Sequence, residues 1–204
     1  MRKNLVLYVH GKGGSASECE HYKSLFPDSE VLGLDYKSNN PCDAGKEIHE
    51  YLILLKSNYT KITLIANSIG AFFSMNANID DMLQKAYFIS PIVDMEKLII
   101  NMMTSLNISE SDLQYKKIIP TPFGENLSWD YLCYVRKYPI KWHVQTEILY
   151  GSKDNITDFE TIKNFANLHN ANLTVMENSE HYFHTQEQMS FLDNWILNSE
   201  ANSL

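Results

Sequence analysis

The sequence is poor in cysteine, and its cysteines form no motif. The three present, Cys19, Cys42 and Cys133, are far apart and make neither a CxxC pair nor a cluster with metal-ligand spacing. This argues against a disulfide framework and against a zinc site. Isolated thiols of this kind are typical of a reducing compartment.

Long apolar runs are also missing. No stretch approaches the roughly 18 apolar residues that a membrane-spanning helix needs. Two basic residues precede the apolar run Leu5–Val9, but this run is shorter than the roughly 7–15 residues of a signal-peptide core. We therefore expect a cytoplasmic protein without a membrane partner.

Positive charge is scarce as well. Lys and Arg together number 17 against 25 Asp and Glu, which gives a formal net charge of -8. Nucleic acids and anionic membranes both attract positive charge, so neither is expected as a partner. The length of 204 residues and the 44% hydrophobic content are typical of one globular domain.

Phosphate-binding fingerprints are absent. The glycine-rich segment "HGKGG", residues 10–14, follows the first apolar run. It matches neither the GxxxxGK[ST] nor the GxGxxG pattern, so no nucleotide cofactor is expected. Its glycines would let backbone N–H groups approach a ligand closely, although a plain glycine-rich turn would look the same.

Short apolar runs alternate with helical patterns along most of the chain. Strands are predicted at Leu5–Val9 and at residues 30–36, 61–67, 85–91, 146–152 and 171–178. Helices are predicted near residues 17–26, 43–57, 70–77, 95–106 and 185–197. This alternation predicts an α/β fold with about six mostly parallel strands and helices on both faces of the sheet.

The alternation breaks once, between Pro91 and Thr146. That segment is too long for a plain connection. We expect residues 94–145 to be an insertion within a single domain that spans residues 1–204. It could be a lid over a site or an extra helical hairpin packed on the sheet.

The segment "TLIANSIGAFFS", residues 63–74, places Ser68 between an apolar run and a helical pattern. A sharp strand–serine–helix turn would expose the serine oxygen beside free N–H groups of a helix N-terminus. Small residues, Ala66 and Gly70, flank the serine at two positions on each side, as such a turn requires. A serine that merely caps a helix would give the same local pattern.

Asp154 and His181 each follow a predicted strand, as Ser68 does. Carboxyl ends of parallel strands meet at one edge of a sheet, where ligands bind. The order Ser, Asp, His is that of the α/β-hydrolase triad. Over nearly its whole length the sequence resembles the α/β-hydrolase superfamily, in the segments "VHGKGG", "IANSIGA", "FISPIVD", "ILYGSKDNIT" and "SEHYFH". It departs at Ala66, where the usual turn has glycine.

The resemblance implies a role for each of these residues. Ser68 would be the nucleophile, His181 its general base and Asp154 the carboxylate that orients the imidazole. The backbone N–H groups of Ile69 and Lys12 would form the oxyanion hole, with Gly13 as the alternative to Lys12. Neither a metal nor a cofactor is implied.

Two of these roles have rivals nearby in the sequence. His184 follows His181 by three residues and could be the base instead. Asp158 could replace Asp154, although its position before "FETIKNF" favours a helix cap. His10 is interpreted as a structural residue that hydrogen-bonds within its own loop.

The resemblance implies a serine hydrolase that cleaves carboxylic esters of small-molecule acyl substrates through an acyl-enzyme. A peptidase or a thioesterase would use the same triad. A non-catalytic binding module of this fold typically lacks a triad residue. Several aromatic side chains could line an acyl pocket or belong to the core: Phe123, Trp129 and Tyr182, and further Phe183 and Trp142.

Overall fold

A computed structural model of the chain describes residues 3–122 and 124–201. Its main sheet has six strands: β1 (Lys3–Val9), β2 (Ser29–Leu34), β3 (Tyr59–Asn67), β4 (Lys85–Ile89), β7 (Thr146–Gly151) and β8 (Asn172–Met176). All neighbouring strands are parallel, in the order β2-β1-β3-β4-β7-β8. The predicted α/β fold is therefore confirmed. A second, two-stranded sheet consists of β5 (Ile118–Pro120) and β6 (Asn126–Ser128).

Seven α-helices are assigned within the described residues. They are α1 (Pro41–Leu55), α2 (Ile69–Met75), α3 (Met95–Ser105), α4 (Glu110–Lys116), α5 (Trp129–Lys137), α6 (Phe159–Leu168) and α7 (Gln186–Ala201). The helix predicted near residues 17–26 is a 3₁₀ helix, Ala16–Ser24. Its buried residues, Cys19 and Tyr22, are three apart, which suits the three-residue turn of that helix. Within residues 3–122 and 124–201, no helix has the length and apolar character to cross a bilayer.

The central strands are buried on both faces of the sheet. Every residue of β4 and β7 is buried, and so are the last five of β1. Such strands appear in sequence as unbroken apolar runs rather than as alternating patterns. Buried polar residues stand at the strand starts, namely Lys85 in β4 and Thr146 and Glu147 in β7. The Lys85 ammonium donates to Ser199 Oγ at 2.8 Å and lies 3.4 Å from the Glu200 carboxylate. These contacts attach the start of β4 to the last turn of α7.

Helix ends and helix faces follow from local sequence. Asn40 caps α1 by accepting the Asp43 N–H at 3.0 Å, and Pro41 occupies the first helical position. The buried face of α7 contains residues spaced for one side of a helix, namely Gln188, Leu192, Trp195 and Ile196. Through such a buried face, a helix covers the apolar strands of the sheet.

The strand order reverses at β1. From β1 the chain goes to β2 on one side and then returns to β3 on the other. The carboxyl ends are aligned, because Val9 pairs with Ala66 and Asn67 pairs with Ile89. A crevice outside such a reversal point is where open parallel sheets bind ligands. The segments that follow β1 and β3 meet there.

Residues Asp94–Lys141 form a compact unit of their own, apart from the unit made by residues up to Val93 and from Trp142 onward. The smaller unit contains α3, α4, α5 and the antiparallel β5–β6 pair, which the sequence did not predict. Arg136 joins its helices by donating to the carboxylates of Glu96 at 2.6 Å and Glu110 at 2.6 and 2.9 Å. That this segment acts as a lid stays a prediction.

Gly70 lets α2 pack directly on the end of β1. A Cβ at this position would lie 2.4 Å from the carbonyl oxygen of His10 and 2.7 Å from that of Val9. We expect Gly70→Ala to lower the free energy of unfolding by about 3 kcal/mol, measured by urea denaturation, because backbone atoms must move.

Gly13→Ala is the matched control for this substitution. A Cβ on Gly13 would meet nothing within 4 Å, but its φ is +73°, so only the left-handed backbone opposes the change, at about 1 kcal/mol. If Gly70→Ala costs no more than Gly13→Ala, the contact between α2 and β1 is not the constraint described.

Candidate active site

Ser68 has an unusual backbone conformation at the turn between β3 and α2. Its φ of 51° and ψ of −118° lie in a region that non-glycine residues rarely occupy. Its N–H donates to the carbonyl of Ile89 at 3.0 Å, and its own carbonyl accepts from the N–H of Ile92 at 3.1 Å. The end of β4 and the segment that follows it therefore bind the two backbone groups and hold the strained turn in place.

The Ser68 hydroxyl begins a chain of two side-chain hydrogen bonds. Ser68 Oγ lies 2.8 Å from His181 Nε2, and His181 Nδ1 lies 2.6 Å from Asp154 Oδ2. A carboxylate only accepts hydrogen bonds, so Nδ1 carries the imidazole proton and Nε2 accepts from the serine. The fold thus brings together three side chains that the sequence placed after three separate strands. The arrangement allows proton transfer from the hydroxyl to the imidazole.

The Asp154 carboxylate is held by three donors. Its side chain is 0% exposed. Besides the His181 bond on Oδ2, its Oδ1 accepts the N–H groups of Ile156 at 2.8 Å and Thr157 at 3.0 Å. A buried carboxylate is tolerated where its oxygens accept hydrogen bonds. The turn after β7 therefore supplies both the position and the solvation of this group.

Tyr150 supports that turn from within the core. Its hydroxyl donates to the Thr157 carbonyl at 2.9 Å. Burial, together with the charges of Asp154 and Asp158, raises the pKa of Tyr150 to about 12. The phenol therefore stays protonated at neutral pH and remains a donor. Sequence reasoning gave Tyr150 no role, because it stands within an apolar strand pattern.

The loop that carries His181, residues 177–185, has no helix or strand. The N–H of Lys153 donates to the Ser179 carbonyl at 2.8 Å, and the N–H of Asn178 donates to Ser152 Oγ at 2.8 Å. These bonds join the loop after β8 to the loop after β7. The carboxamide of Gln188 also contacts this loop, and sequence reasoning missed it. The available signal was a polar residue on the apolar stripe of α7.

The rival histidine and the rival aspartate have other partners. His184 is exposed, and its Nδ1 donates to the Tyr182 carbonyl at 2.8 Å. Asp158 caps α6, as the sequence predicts, by accepting the Thr161 N–H at 3.0 Å. The hydrogen-bond chain from Ser68 therefore passes through His181 and Asp154 and not through these two.

The predicted oxyanion segment lies beside Ser68. Gly11 is so close that a Cβ on it would lie 3.3 Å from Ser68 Cβ. The Gly14 N–H donates to the Gly11 carbonyl at 3.2 Å, which makes Lys12 and Gly13 the two central residues of a turn. Ile69 is the first residue of α2, where a helix leaves its N–H without an intrahelical acceptor. The choice between Lys12 and Gly13 stays open.

His10 belongs to the architecture of this loop. Its ring is stacked on Tyr36 with centroids 4.4 Å apart, and its Nδ1 donates to the Gly11 carbonyl at 2.7 Å. The Tyr36 hydroxyl donates to the His10 carbonyl at 3.0 Å. His10 therefore hydrogen-bonds within its loop, as the sequence predicts.

The four aromatic candidates for an acyl pocket that lie in the described part of the chain have different environments. Trp142 and Phe183 are buried, at 1% and 7% exposure, as core residues are. Tyr182 is exposed and stacks on His184. Trp129 is half-buried at the start of α5. Phe123 lies outside the described residues, and the pocket role of Phe123, Trp129 and Tyr182 stays a prediction.

A groove of about 500 Å³ lies elsewhere, between β7, β8 and α7. Its lining includes Glu147 and Asn172, at the amino ends of their strands, and contains none of Ser68, Asp154 and His181. It is therefore separate from the hydrogen-bond chain at the carboxyl ends. No group of His, Cys, Asp or Glu suited to a metal ion occurs in residues 3–122 and 124–201.

No protein-family model matches the chain, and no curated protein matches it in sequence. Similar solved structures include Est1E from Butyrivibrio proteoclasticus, with a TM-score of 0.81 and 15% identity over 98% of this chain and 88% of Est1E. Mouse alpha/beta hydrolase domain-containing protein 10 has a TM-score of 0.71 and 13% identity, over 98% of this chain and 90% of the mouse protein. A serine hydrolase without a lid from Xanthomonas campestris has a TM-score of 0.65 and 13% identity, over 98% of this chain and 82% of that protein. These likenesses establish the α/β-hydrolase fold for this chain.

The strain at Ser68 predicts an inverted order of stability for two variants. Ser68→Ala and Ser68→Gly both remove the hydroxyl and its bond to His181. Glycine normally destabilises relative to alanine, but here φ is 51°, so alanine retains the strain and glycine releases it. We expect Ser68→Gly to be more stable than Ser68→Ala by about 1–2 kcal/mol in thermal and urea unfolding. An alanine variant that equals or exceeds the glycine variant would contradict the strain.

Proposed function

We propose that the protein, which has the α/β-hydrolase fold, is a serine hydrolase that cleaves carboxylic esters through an acyl-enzyme on Ser68. The observation that supports this most directly is the unbroken chain of hydrogen bonds from Ser68 through His181 to Asp154. The strained turn supports it further, because backbone strain of this kind clusters at active sites.

In the proposed reaction, Ser68 Oγ attacks the ester carbonyl while its proton passes to His181 Nε2. The carbonyl oxygen becomes an oxyanion, and the N–H groups at Ile69 and in the Gly11–Gly14 turn stabilise it. The tetrahedral intermediate then collapses, and the imidazolium protonates the departing alcohol. Water, deprotonated by the same imidazole, then attacks the acyl carbonyl. The bond to Ser68 Oγ breaks, the carboxylic acid leaves, and the imidazolium returns its proton to the serine.

Asp154 has two roles in this scheme. Its bond to Nδ1 keeps the tautomer in which Nε2 faces the serine, and its charge stabilises the imidazolium that forms. The two backbone donors on Oδ1 fix the carboxylate, so the imidazole cannot rotate without breaking a buried charged contact. The proposed base is therefore oriented before substrate binds.

The preference for esters is supported by structural likeness rather than by the triad. Est1E has also been solved with ferulic acid bound, and that structure gives a TM-score of 0.78 with 15% identity. A peptidase or a thioesterase would use the same three residues, so the acyl pocket decides between them. A non-catalytic module is disfavoured by the intact geometry. We propose nitrophenyl esters, methyl ferulate, an acyl thioester and a peptide anilide as the panel that separates these classes.

A fluorophosphonate probe tests the proposed nucleophile. We expect it to label Ser68 and no other serine, as located by peptide mapping, because Ser68 has an imidazole acceptor at 2.8 Å. Ser68→Ala should stay folded and lose about 10⁴-fold or more in ester turnover. Labelling at another serine, or undiminished turnover in the variant, would refute the proposal.

Paired substitutions test the two remaining roles. Asp154→Asn should lower turnover by about 10⁴-fold, because an amide no longer holds the productive tautomer. Asp158→Asn is the matched control, and it should leave both turnover and stability nearly unchanged because asparagine caps helices about as well as aspartate. His181→Ala should abolish turnover, whereas His184→Ala should keep most of it.

Each pair has its own contradicting outcome. A greater loss for Asp158→Asn than for Asp154→Asn would place the acid elsewhere. A greater loss of turnover for His184→Ala than for His181→Ala would show that His181 is not the general base. Circular dichroism of all four variants separates loss of chemistry from loss of folding.

A further inference from the structure

Gln188 is a buried carboxamide on the inner face of α7. It is 5% exposed, although glutamine usually faces solvent. It stands on the helical stripe that otherwise contains Leu192, Trp195 and Ile196. A buried carboxamide is tolerated only where its donors and acceptors are satisfied, so its partners indicate why it is there.

All four hydrogen-bonding positions of this carboxamide are used. Oε1 accepts the backbone N–H groups of His184 at 3.0 Å and Thr185 at 2.9 Å. Nε2 donates to Ser179 Oγ at 2.9 Å and to the Glu180 carboxylate at 2.9 Å. The partners fix the orientation, because a backbone N–H can only donate and a carboxylate can only accept.

These four partners bracket His181 on both sides. Ser179 and Glu180 precede it, and His184 and Thr185 follow it. Residues 177–185 have no helix or strand, so their backbone has no regular hydrogen-bond ladder to hold it. One side chain from the helix that follows therefore closes the loop around the imidazole.

We infer that Gln188 is a positioning residue, which sets His181 at hydrogen-bonding distance from Ser68 by clamping the loop before and after it. The inference rests on the proposed function for its effect on turnover. Its claim about the position of His181 does not rest on the proposed function, because the bond between His181 and Asp154 can be observed without any substrate.

Because Glu180 is charged, its contact with Gln188 can be tested by exchanging the amide and the carboxylate between the two positions. Donation from Gln188 holds the pKa of the Glu180 carboxyl below its ordinary value, so at neutral pH this group is an acceptor. Gln188→Glu keeps the size of the side chain and can still accept from His184 and Thr185. It places a second carboxylate against Glu180, and the bond there is replaced by repulsion.

The double variant, which combines Glu180→Gln with Gln188→Glu, restores the pairing in the opposite direction. The amide introduced at position 180 would donate to the carboxylate introduced at position 188. The Ser179 hydroxyl can turn to donate, and the two backbone N–H groups keep their acceptor. Gln186→Glu is the matched control, since it adds the same charge on the same helix at an exposed residue, whose side chain donates to Ser190 Oγ.

We expect Gln188→Glu to lower kcat by about tenfold to a hundredfold with little change in KM, as a displaced catalytic group does. The double variant should recover most of the loss, and Gln186→Glu should match the wild type. If Gln188→Glu does not fold, Gln188→Met, which keeps the length without charge or hydrogen bonds, replaces it. Wild-type turnover in a folded Gln188 variant, or no recovery in a folded double variant, overturns the inference.

The low-field proton resonance of His181 Nδ1 separates this inference from the proposed function. It reports the bond to Asp154 whether or not esters are cleaved. We expect the resonance in the wild type, its loss or broadening in Gln188→Glu, and its return in the double variant. If the wild type cleaves no ester, the proposed function fails, while this pattern still supports the clamp. A resonance that persists unchanged in Gln188→Glu overturns the clamp even if esters are cleaved.

Discussion

The strained backbone of Ser68 is the constraint on which the rest of the site depends. A non-glycine residue at φ 51° and ψ −118° costs about 1–3 kcal/mol and persists only when its surroundings fix it. Here the carbonyl of Ile89 and the N–H of Ile92 hold its two backbone groups. The close approach of Gly70 to β1 places α2 so that the turn can begin there. Neighbouring strands, rather than the turn itself, therefore determine where the hydroxyl points.

The partners of the serine are positioned by a different kind of interaction. Asp154 and His181 lie in loops that have no regular structure, and buried polar side chains hold those loops. Tyr150 binds the turn that donates to Asp154, and Gln188 binds both flanks of His181. Buried polar groups of this kind are costly unless satisfied, so each one specifies a single loop conformation. Backbone strain positions one group, and side-chain hydrogen bonds position the other two.

Sequence reasoning could predict what depends on local pattern. The apolar runs predicted all six strands of the main sheet. The signal is clearest for β4, β7 and the second half of β1, which are buried on both faces and therefore have little polar alternation. Because Ser68, Asp154 and His181 each follow a predicted strand, the sequence also predicted that they lie at the same edge of the sheet. What it missed depends on tertiary contact. The β5–β6 pair has only three residues per strand, too few for a periodic signal. Gln188 and Tyr150 are polar groups within apolar patterns, and only the folded loops show what they bind.

The separation of the hydrogen-bonding partners along the chain has a consequence for biosynthesis. Ser68 and His181 are 113 residues apart, and a ribosome adds about 5–20 residues per second, so His181 is made about 6–23 s after Ser68. Gln188 follows His181 from the ribosome. Throughout that interval Ser68 on the growing chain lacks its hydrogen-bonding partner His181. The hydrogen bond between Ser68 and His181 can therefore form only after the loop that carries His181 has left the ribosome.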